Sequence, residues 1–396
     1  MKWIRFILPA WLAWAGVCDA QVPTATGTTI AMSNAAWSLF IPSEYVSRGS
    51  VADIVYHFHG DPATFRNNAK YAKLNAVILT INYNGLSSAY QTPFTSDPNL
   101  FATIRTEALT KLRACADFPD DLTFDKEAVS SFSAGYGAVR QILKSQTYYN
   151  QIDMMLAADT IYAGFNNYPS DKTLVASQMV DWRRYAVDAK NGSKTFLVAH
   201  SQVDPVTYAS TGLTANDLMS TVGTAPTSVN FNGLGTLNFY RTAQTGNFKV
   251  LGAIGTDGDS HLEHLRYIGE YLKQLPLTKV PNAGDLNFDG KVNFADLLGL
   301  AAHYNTTAGM SWLTGDFNKD GATNFSDLLL LAANYGTTAT ASVDWSMAQL
   351  APEPASASLL VLGGTSLLRR ARVSRVASTS SLNQSGQHVL CYARYS

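Results

Sequence analysis

The sequence contains little cysteine and almost no net charge. Three of the 396 residues are cysteine, and the formal net charge is -1. Cys18 lies near the N-terminus and Cys391 in the C-terminal tail, so Cys115 is left alone in the body of the chain and an internal disulfide is excluded there. Cys115 stands in a helical pattern and is interpreted as a packed apolar residue. The balanced charge gives no electrostatic reason to expect a nucleic-acid partner.

The N-terminal segment has the layout of a secretory signal peptide. Lys2 and Arg5 precede an apolar run, and small residues follow it as far as Ala20. This order predicts a signal over residues 1–20 that is cleaved after Ala20. Lipidation of Cys18 is the alternative, and it is disfavoured because the residue before this cysteine is larger than such processing prefers. We therefore expect a secreted protein.

Residues 28–275 alternate short apolar runs with helical patterns. This alternation predicts a mostly parallel sheet covered by helices, an α/β domain spanning residues 21–278. Ligands of such sheets bind beyond the carboxyl ends of the strands, so chemistry is expected in the residues after each run. The predicted strands are AWSLFIP, DIVYHFHG, NAVILTINYN, EAVSSFS, DMMLAAD, KTFLVAHS and FKVLGAIG.

The stretch AVSSFSAGYGAVR contains a candidate nucleophile, Ser133. It matches Gly-x-Ser-x-Gly except that Ser131 replaces the first glycine, and it stands between a predicted strand and a predicted helix. Gly135 and Gly137 would let that helix approach the strand closely. The stretch therefore predicts a sharp turn that exposes the hydroxyl of Ser133. A capped turn without chemistry is the alternative.

Two histidines are candidates for the base that a nucleophilic serine needs. The chain holds seven histidines, and in this domain His261 and His264 alone follow every plausible acid. Both come after the last predicted strand and the loop TDGDS. His261 is favoured because it is nearer to that loop, with His264 as the alternative. Two solvated histidines at a helix start would be the structural explanation.

The acid that would orient this base has several candidates. Asp204 follows the strand KTFLVAHS and is favoured, because it precedes the last strand and the histidine. Asp159 directly ends the strand before that one and is the second candidate. Asp257 and Asp259 are weaker alternatives. A carboxylate that does not serve as the acid is expected to cap a loop or contact substrate.

Backbone N–H groups are expected to stabilise the oxyanion of an acyl-transfer reaction. One should come from Ala134, directly after the candidate nucleophile. The other should come from the loop after an early strand, where Asp61 follows His59 and Gly60. His57 and His59 precede the serine and are interpreted as structural residues.

With these motifs in this order, residues 28–275 resemble the α/β-hydrolase superfamily. The resemblance implies hydrolysis through an acyl-enzyme on Ser133, with His261 acting first as base and then as acid. It does not name a substrate, because this fold hosts esterases, lipases and peptidases.

The substrate class is narrowed by what the chain lacks. No long apolar insertion is available as a lid, which disfavours a lipase. The leading hypothesis is a carboxylesterase for polysaccharide-linked or small esters, with no cofactor for catalysis. A secreted serine peptidase and a noncatalytic cell-surface or polysaccharide-associated binding protein are the alternatives. Aromatic residues near the strand ends could form a pocket wall or pack in the core, namely Tyr83, Tyr90, Tyr136, Tyr162 and Phe165.

An internal repeat follows the linker PLTKVPNAG. The segment GDLNFDGKVNFADLLGLAAHYN from Gly284 recurs as GDFNKDGATNFSDLLLLAANYG from Gly315. Each copy places oxygen ligands at the spacing that surrounds one Ca²⁺, with a glycine at the sharp turn, so two calcium ions are predicted. The ligands are Asp285, Asn287, Asp289, the Lys291 carbonyl, Asn293 and Asp296 in the first loop, and Asp316, Asn318, Asp320, the Ala322 carbonyl, Asn324 and Asp327 in the second.

This loop-helix duplication over residues 282–338 resembles the dockerin family. Aspartate ends each loop, and a helical pattern follows each loop without one before it. The resemblance implies calcium-dependent folding and binding to a cohesin-like partner. The partner-reading positions hold Phe294, Ala295, Phe325 and Ser326 rather than pairs of small hydroxyl residues, so another envelope partner is the alternative.

The C-terminal region resembles a PEP-CTERM sorting signal. Residues 339–351 are interpreted as a linker, residues 352–372 as the signal and residues 373–396 as a polar tail. The signal contains Pro-Glu-Pro, an apolar run and arginines. The run is short for a permanent membrane span, which favours transient membrane association. Such signals imply a bacterial cell-envelope or extracellular destination.

Overall fold

The computed structural model describes residues 22–339. The predicted signal peptide, sorting signal and polar tail lie outside the described residues. The strands are β1 Gly27–Ala31, β2 Trp37–Pro42, β3 Val51–Phe58, β4 Ala76–Ile81, β5 Thr123–Phe132, β6 Met154–Ala158, β7 Phe165–Asn167, β8 Asp171–Leu174, β9 Thr195–His200, β10 Thr227–Asn232, β11 Asn238–Thr245 and β12 Phe248–Ala253. The helices are α1 Pro62–Tyr71, α2 Ser87–Ser96, α3 Leu100–Arg113, α4 Tyr136–Ile142, α5 Gln146–Gln151, α6 Ala176–Lys190, α7 Thr211–Val222, α8 Gly258–Arg266, α9 Gly269–Leu272, α10 Phe294–Ala302 and α11 Phe325–Asn334.

The main sheet has the order β1-β2-β4-β3-β5-β6-β9-β12-β11-β10. Strands β4, β3, β5, β6, β9 and β12 run parallel to one another, whereas β1, β2, β11 and β10 pair antiparallel at the two edges. All seven predicted strands are present in this sheet. The sequence missed three strands of this sheet, β1, β10 and β11. Most residues of β1 and β10 are exposed and only two residues of β11 are buried, so none of the three contains an apolar run.

The core lies on both faces of the sheet. On one face, helices α3, α4, α6 and α7 pack on it through buried residues that include Phe101 and Trp182. On the other face, α1 and α9 contribute Phe65, Tyr271 and Leu272. Burying each of the larger apolar side chains stabilises the fold by about 1.5–3 kcal/mol. The prediction of a mostly parallel sheet with helices on both faces is therefore confirmed.

The segment after α9 leads into a small domain built on the repeat. Helices α10 and α11 follow the two predicted calcium loops, and no helix precedes the first loop between residues 273 and 293. Trp312 donates from Nε1 to the carbonyl of Asp285 at 2.7 Å and so joins the two halves of the repeat. In residues 22–339, none of the helices combines the length and the hydrophobicity needed to span a bilayer.

Candidate active site and calcium loops

Three non-glycine residues with left-handed backbone follow three neighbouring strands. His59 follows β3 with φ of 72°, Ser133 follows β5 with φ of 45°, and Asp159 follows β6 with φ of 46°. Such conformations cost of order 1–3 kcal/mol each and persist only where the surrounding structure holds them. Because β3, β5 and β6 are adjacent, the strained residues lie along one edge of the sheet, where open α/β sheets bind their ligands.

Ser133 occupies the sharp turn that the sequence predicted. Strand β5 ends at Phe132, a short 3₁₀ turn covers Ser133–Gly135, and α4 begins at Tyr136. A Cβ on Gly135 would lie 2.3 Å from the carbonyl oxygen of Phe58 in β3, so only glycine fits there. The turn is therefore pressed against the neighbouring strand.

Ser131 stands where the usual motif has glycine. It belongs to β5, pairs with Phe58 and Ala157 on the flanking strands, and is fully buried. Its φ lies outside the left-handed region. Glycine is thus not needed for backbone freedom at this position, and the small serine side chain packs inside the sheet.

His261 and Asp159 form a close pair beside this turn. His261 Nδ1 donates to Asp159 Oδ2 at 2.7 Å, which leaves Nε2 as the nitrogen available to a substrate or nucleophile. The imidazole also stacks on Phe132, with ring centroids 4.6 Å apart. Asp257, the N-cap of α8, accepts from the Ser260 amide at 2.9 Å and fixes the start of the helix that carries His261.

Asp159 is completely buried, yet its carboxylate is well supplied with donors. Oδ1 accepts from the Ser201 amide at 2.9 Å and from the Thr211 hydroxyl. Burial by itself raises the pKa of Asp159, but the neighbouring imidazole of His264 and the hydrogen bond from His261 hold that pKa well below its usual range. Asp159 is therefore ionised at neutral pH. No local sequence pattern marks Ser201 or Thr211 as partners of this carboxylate, because they come from distant parts of the chain.

The structure does not bring Asp204, the favoured acid, to His261. Asp204 is exposed in the loop after β9, and its Oδ1 accepts from the Val206 amide at 2.9 Å. Asp204 lies in the loop beyond the end of β9 and caps that loop, whereas Asp159 directly follows the last residue of β6. The preference for Asp204 over Asp159 is corrected on this geometry.

The other candidate base is not placed at this edge. His264 lies one turn after His261 in α8 and is completely buried. Its Nδ1 pairs with the Tyr271 hydroxyl at 2.9 Å, and burial lowers its pKa. His264 packs in the core beneath α8, and Asp257 and Asp259 lie at the exposed start of the same helix.

The two predicted oxyanion residues have different environments. Ala134 lines the cavity that contains Ser133. Asp61 is the N-cap of α1, and its carboxylate accepts from the Thr64 amide at 2.8 Å. His59 binds the Tyr90 hydroxyl at 2.9 Å, and its pKa is lowered by burial and by His261 nearby. The loop after β3 is thus held in place from both sides.

A cavity of about 530 Å³ opens at this edge of the sheet. Ser133 and His261 both line it, and its size is in the range of small-molecule sites. Of the aromatic residues named from the sequence, Tyr136 and Tyr162 belong to the wall. Tyr83, Tyr90 and Phe165 do not line it. Tyr208 also lines the cavity and was missed, because it follows no apolar run.

The two predicted calcium loops form the sharp turns that their sequence pattern predicts. Gly290 and Gly321 adopt φ of 81° and 86°, as position six of each loop requires. The final aspartates, Asp296 and Asp327, each accept backbone hydrogen bonds from the start of their own loop and from the N-cap of the following helix. Each loop is thereby wrapped around its own carboxylates.

The first loop shows how these residues fit an ion. Asp285 is buried, and its Oδ1 has no hydrogen-bond partner among the described residues. Burial raises the pKa of Asp285 to about 6, with the carboxylates of Asp296 and Asp289 adding to the effect. A cation there would offset the buried negative charge. Within residues 22–339, no three His, Cys, Asp or Glu side chains converge to hold a metal, so asparagine side chains and backbone carbonyls are needed to complete each set.

Residues 283–334 match the dockerin type I domain family. This match covers the two loops and both helices of the small domain. The sequence has no significant match among curated proteins.

Several solved structures are similar to part of this chain. An arylesterase structure shares 14% identity, with 64% of this chain and 85% of that chain covered and a TM-score of 0.35. The feruloyl esterase module from Clostridium thermocellum, complexed with sinapinate, shares 13% identity over 63% of this chain and 86% of that chain, with a TM-score of 0.35. The siderophore hydrolase EstA from Aspergillus nidulans shares 14% identity over 69% of this chain and 99% of that chain, with a TM-score of 0.37. All three names describe hydrolytic enzymes.

The order of the mostly parallel sheet is that of the α/β-hydrolase fold, and a dockerin domain follows it. Ser133 after β5, Asp159 after β6 and His261 after β12 come in the chain order of serine, acid and histidine that is typical of this fold.

Proposed function

We propose that this chain is a secreted serine hydrolase, a carboxylesterase for polysaccharide-linked or small esters. Ser133 is the nucleophile, His261 the base and Asp159 the acid. The observation that carries this proposal is the 2.7 Å hydrogen bond from His261 to the buried Asp159, next to a cavity that Ser133 also lines. A solvated histidine at a helix start would not be expected to bind a buried carboxylate that accepts three hydrogen bonds.

In this proposal, His261 Nε2 takes the proton of the Ser133 hydroxyl as its oxygen attacks the ester carbonyl. Asp159 holds the Nδ1–H tautomer and stabilises the imidazolium. His261 then gives the proton to the departing alcohol, which leaves an acyl group on Ser133. Water, deprotonated by the same imidazole, releases the acid and restores the serine.

The oxyanion formed in both steps needs donors. The Ala134 amide is one of them, because it follows the nucleophile in the turn. The amide of Asp61, in the loop after β3, stays the proposed second donor.

Fluorophosphonate labelling tests the nucleophile. We expect a covalent adduct on Ser133 in the intact protein and none after Ser133→Ala. Ser131→Ala serves as the matched control, since it removes a nearby hydroxyl that is buried in β5. It should keep the adduct. Absence of labelling in the folded wild-type chain would leave only a noncatalytic binding role, and turnover of peptides but not esters would favour the peptidase.

The dockerin domain is proposed to hold two Ca²⁺ ions. Asp285 and Asp316 head the two ligand sets, and each ion would neutralise the carboxylates of its loop. The domain would bind a cohesin-like or other envelope partner and retain the hydrolase near its substrate. Calorimetric titration of the full chain with Ca²⁺ should give two binding events. One event, or none, would contradict the paired-loop assignment.

A further inference from the structure

We propose that the cavity beside Ser133 selects esters that carry a neutral, hydroxyl-bearing aromatic ring. This inference rests on the proposed esterase function and names its substrate class. Three tyrosines carry it, Tyr136, Tyr162 and Tyr208, all of which line the cavity.

The three rings form a continuous wall. The centroids of Tyr136 and Tyr162 are 5.6 Å apart with the rings at 58°, and those of Tyr162 and Tyr208 are 5.6 Å apart with the rings at 76°. Because neighbouring rings are inclined at these angles, a flat aromatic ligand can contact the face of one tyrosine and the edge of the next. Aromatic pairs favour this combination of face and edge beyond the effect of the area that they bury. A puckered sugar would gain more from one open, flat face.

Contacts with Arg140 support this tyrosine wall. The guanidinium carbon of Arg140 lies 4.8 Å from the centroid of the Tyr136 ring. The same guanidinium donates to the backbone carbonyl of Tyr162. Because Arg140 is buried, the ring of Tyr136 and the backbone of Tyr162 are held in place before a ligand arrives.

The lining excludes a charged guest. No Lys, Arg, Asp or Glu side chain lines the cavity among the described residues. The apolar part of the wall comes from Leu86, Val203 and Pro205. Gln178, a polar residue of the lining, already accepts the Gly164 amide through Oε1 at 2.8 Å. A carboxylate, phosphate or ammonium on the substrate would lose its water without gaining a partner.

The tyrosine hydroxyls supply the polar contacts. Burial raises the pKa of Tyr162 and of Tyr208 above the usual value, so both are neutral phenols at physiological pH. Because all three tyrosines line the cavity, their hydroxyls can bind hydroxyl or ether oxygens on the ring of a substrate.

Kinetics on matched methyl esters test the inference. The full-length protein is assayed with methyl 4-hydroxycinnamate, methyl octanoate and methyl hydrogen succinate. We expect kcat/KM for the aromatic ester to exceed that for the linear ester by about tenfold or more, in line with one to two aromatic contacts. The charged ester should be the poorest substrate.

Variants of Tyr208 locate the preference. The Tyr208 side chain is 43% exposed, so its removal does not open the core. Tyr208→Ala should lower kcat/KM for the aromatic ester by about fivefold to tenfold and so reduce the ratio of kcat/KM between the aromatic and the linear ester. Tyr208→Phe should keep most of the ring preference. Tyr335→Ala is the matched control, because Tyr335 is also half exposed but lies in the dockerin domain.

The outcomes separate this inference from the function on which it rests. Turnover of all three esters at similar rates, or a preference for the linear or the charged ester over the aromatic ester, would overturn the aromatic assignment and leave the esterase standing. No turnover of any ester together with no fluorophosphonate adduct on Ser133 would overturn both.

Discussion

At the scale of single residues, the position of Asp159 carries the proposed assignment of the acid. Its carboxylate is buried, accepts from Ser201, Thr211 and His261, and fixes the imidazole so that Nε2 is free. Asp204 makes only a local contact in an exposed loop. Two aspartates that look alike in the sequence therefore differ in burial and in hydrogen bonding.

Asp159→Asn should lower kcat for a simple ester by about 10³–10⁴. Only one of the two polar atoms of the amide side chain is an acceptor, and the other is a donor. The amide therefore favours the tautomer of His261 that lacks the proton on Nδ1. Asp204→Asn, the matched control, should stay within a factor of three of the wild type, since it alters an exposed loop cap. Initial rates with p-nitrophenyl acetate, together with thermal melting, check both. The reverse ranking would restore Asp204 as the acid.

At the scale of elements, the turn between β5 and α4 depends on close backbone contact. Gly135 presses against the carbonyl of Phe58, and a methyl group there would sit at 2.3 Å from that oxygen. The contact locks the turn to β3, the strand that leads to His59 and Gly60. The nucleophile and the loop of the proposed second oxyanion donor are thereby held by one contact.

Gly135→Ala should destabilise the fold by about 2 kcal/mol or more, because backbone must move to relieve the clash. It should also reduce fluorophosphonate labelling of Ser133 in molecules that remain folded. Gly212→Ala, near the start of α7, is the control, since its new methyl would meet no atom closer than 3.5 Å. Urea denaturation measures both. Equal stability of the two variants would show that the turn is not constrained as described.

At the scale of the whole molecule, the dockerin domain shares a core with the hydrolase domain. Val46 of the hydrolase domain is buried in one cluster with five dockerin residues, namely Val292, Leu300, Trp312, Phe317 and Leu331. Lys319, in the second calcium loop, donates to the carbonyl of Tyr45 at 2.9 Å. Asp316 and Gly321 of that loop line a cavity together with Tyr45 and Val46. Calcium at the second loop should therefore stabilise the adjoining part of the hydrolase domain.

Asp320→Ala and Asp289→Ala remove equivalent, exposed ligands from the second and the first loop. With calcium present, the second-loop variant should melt about 5 °C below the wild type, the size expected from losing one well-saturated site. It should also speed hydrogen exchange at residues 43–47. The first-loop variant should leave that exchange nearly unchanged. Identical hydrogen exchange at residues 43–47 in the two variants would show that the second loop does not stabilise the hydrolase domain.

The elements that position the site could be predicted because their signals are local. The last six residues of β5 and all of β6 are buried, so their sequences consist mostly of apolar and small residues. Ser133 and Asp159 directly follow these two strands. The predicted calcium loops could likewise be recognised in the sequence, because all the proposed ligands of one ion lie within a dozen residues. The edge strands β1 and β10 were not, because exposed strands need no apolar run.

By itself, the sequence predicted seven strands along the chain, the sharp turn at Ser133, His261 as the favoured base and two loops with the spacing of calcium ligands. Only the tertiary structure placed Asp159 rather than Asp204 against His261, assembled the tyrosine wall and joined the dockerin domain to Val46. The reason is physical. Periodicity and ligand spacing are properties of contiguous chain, whereas the choice of an acid depends on which carboxylate remains at the sheet edge after the loops have folded. That choice is made by contacts such as those of Asp159 with Thr211 and His261, across 52 and 102 residues of sequence.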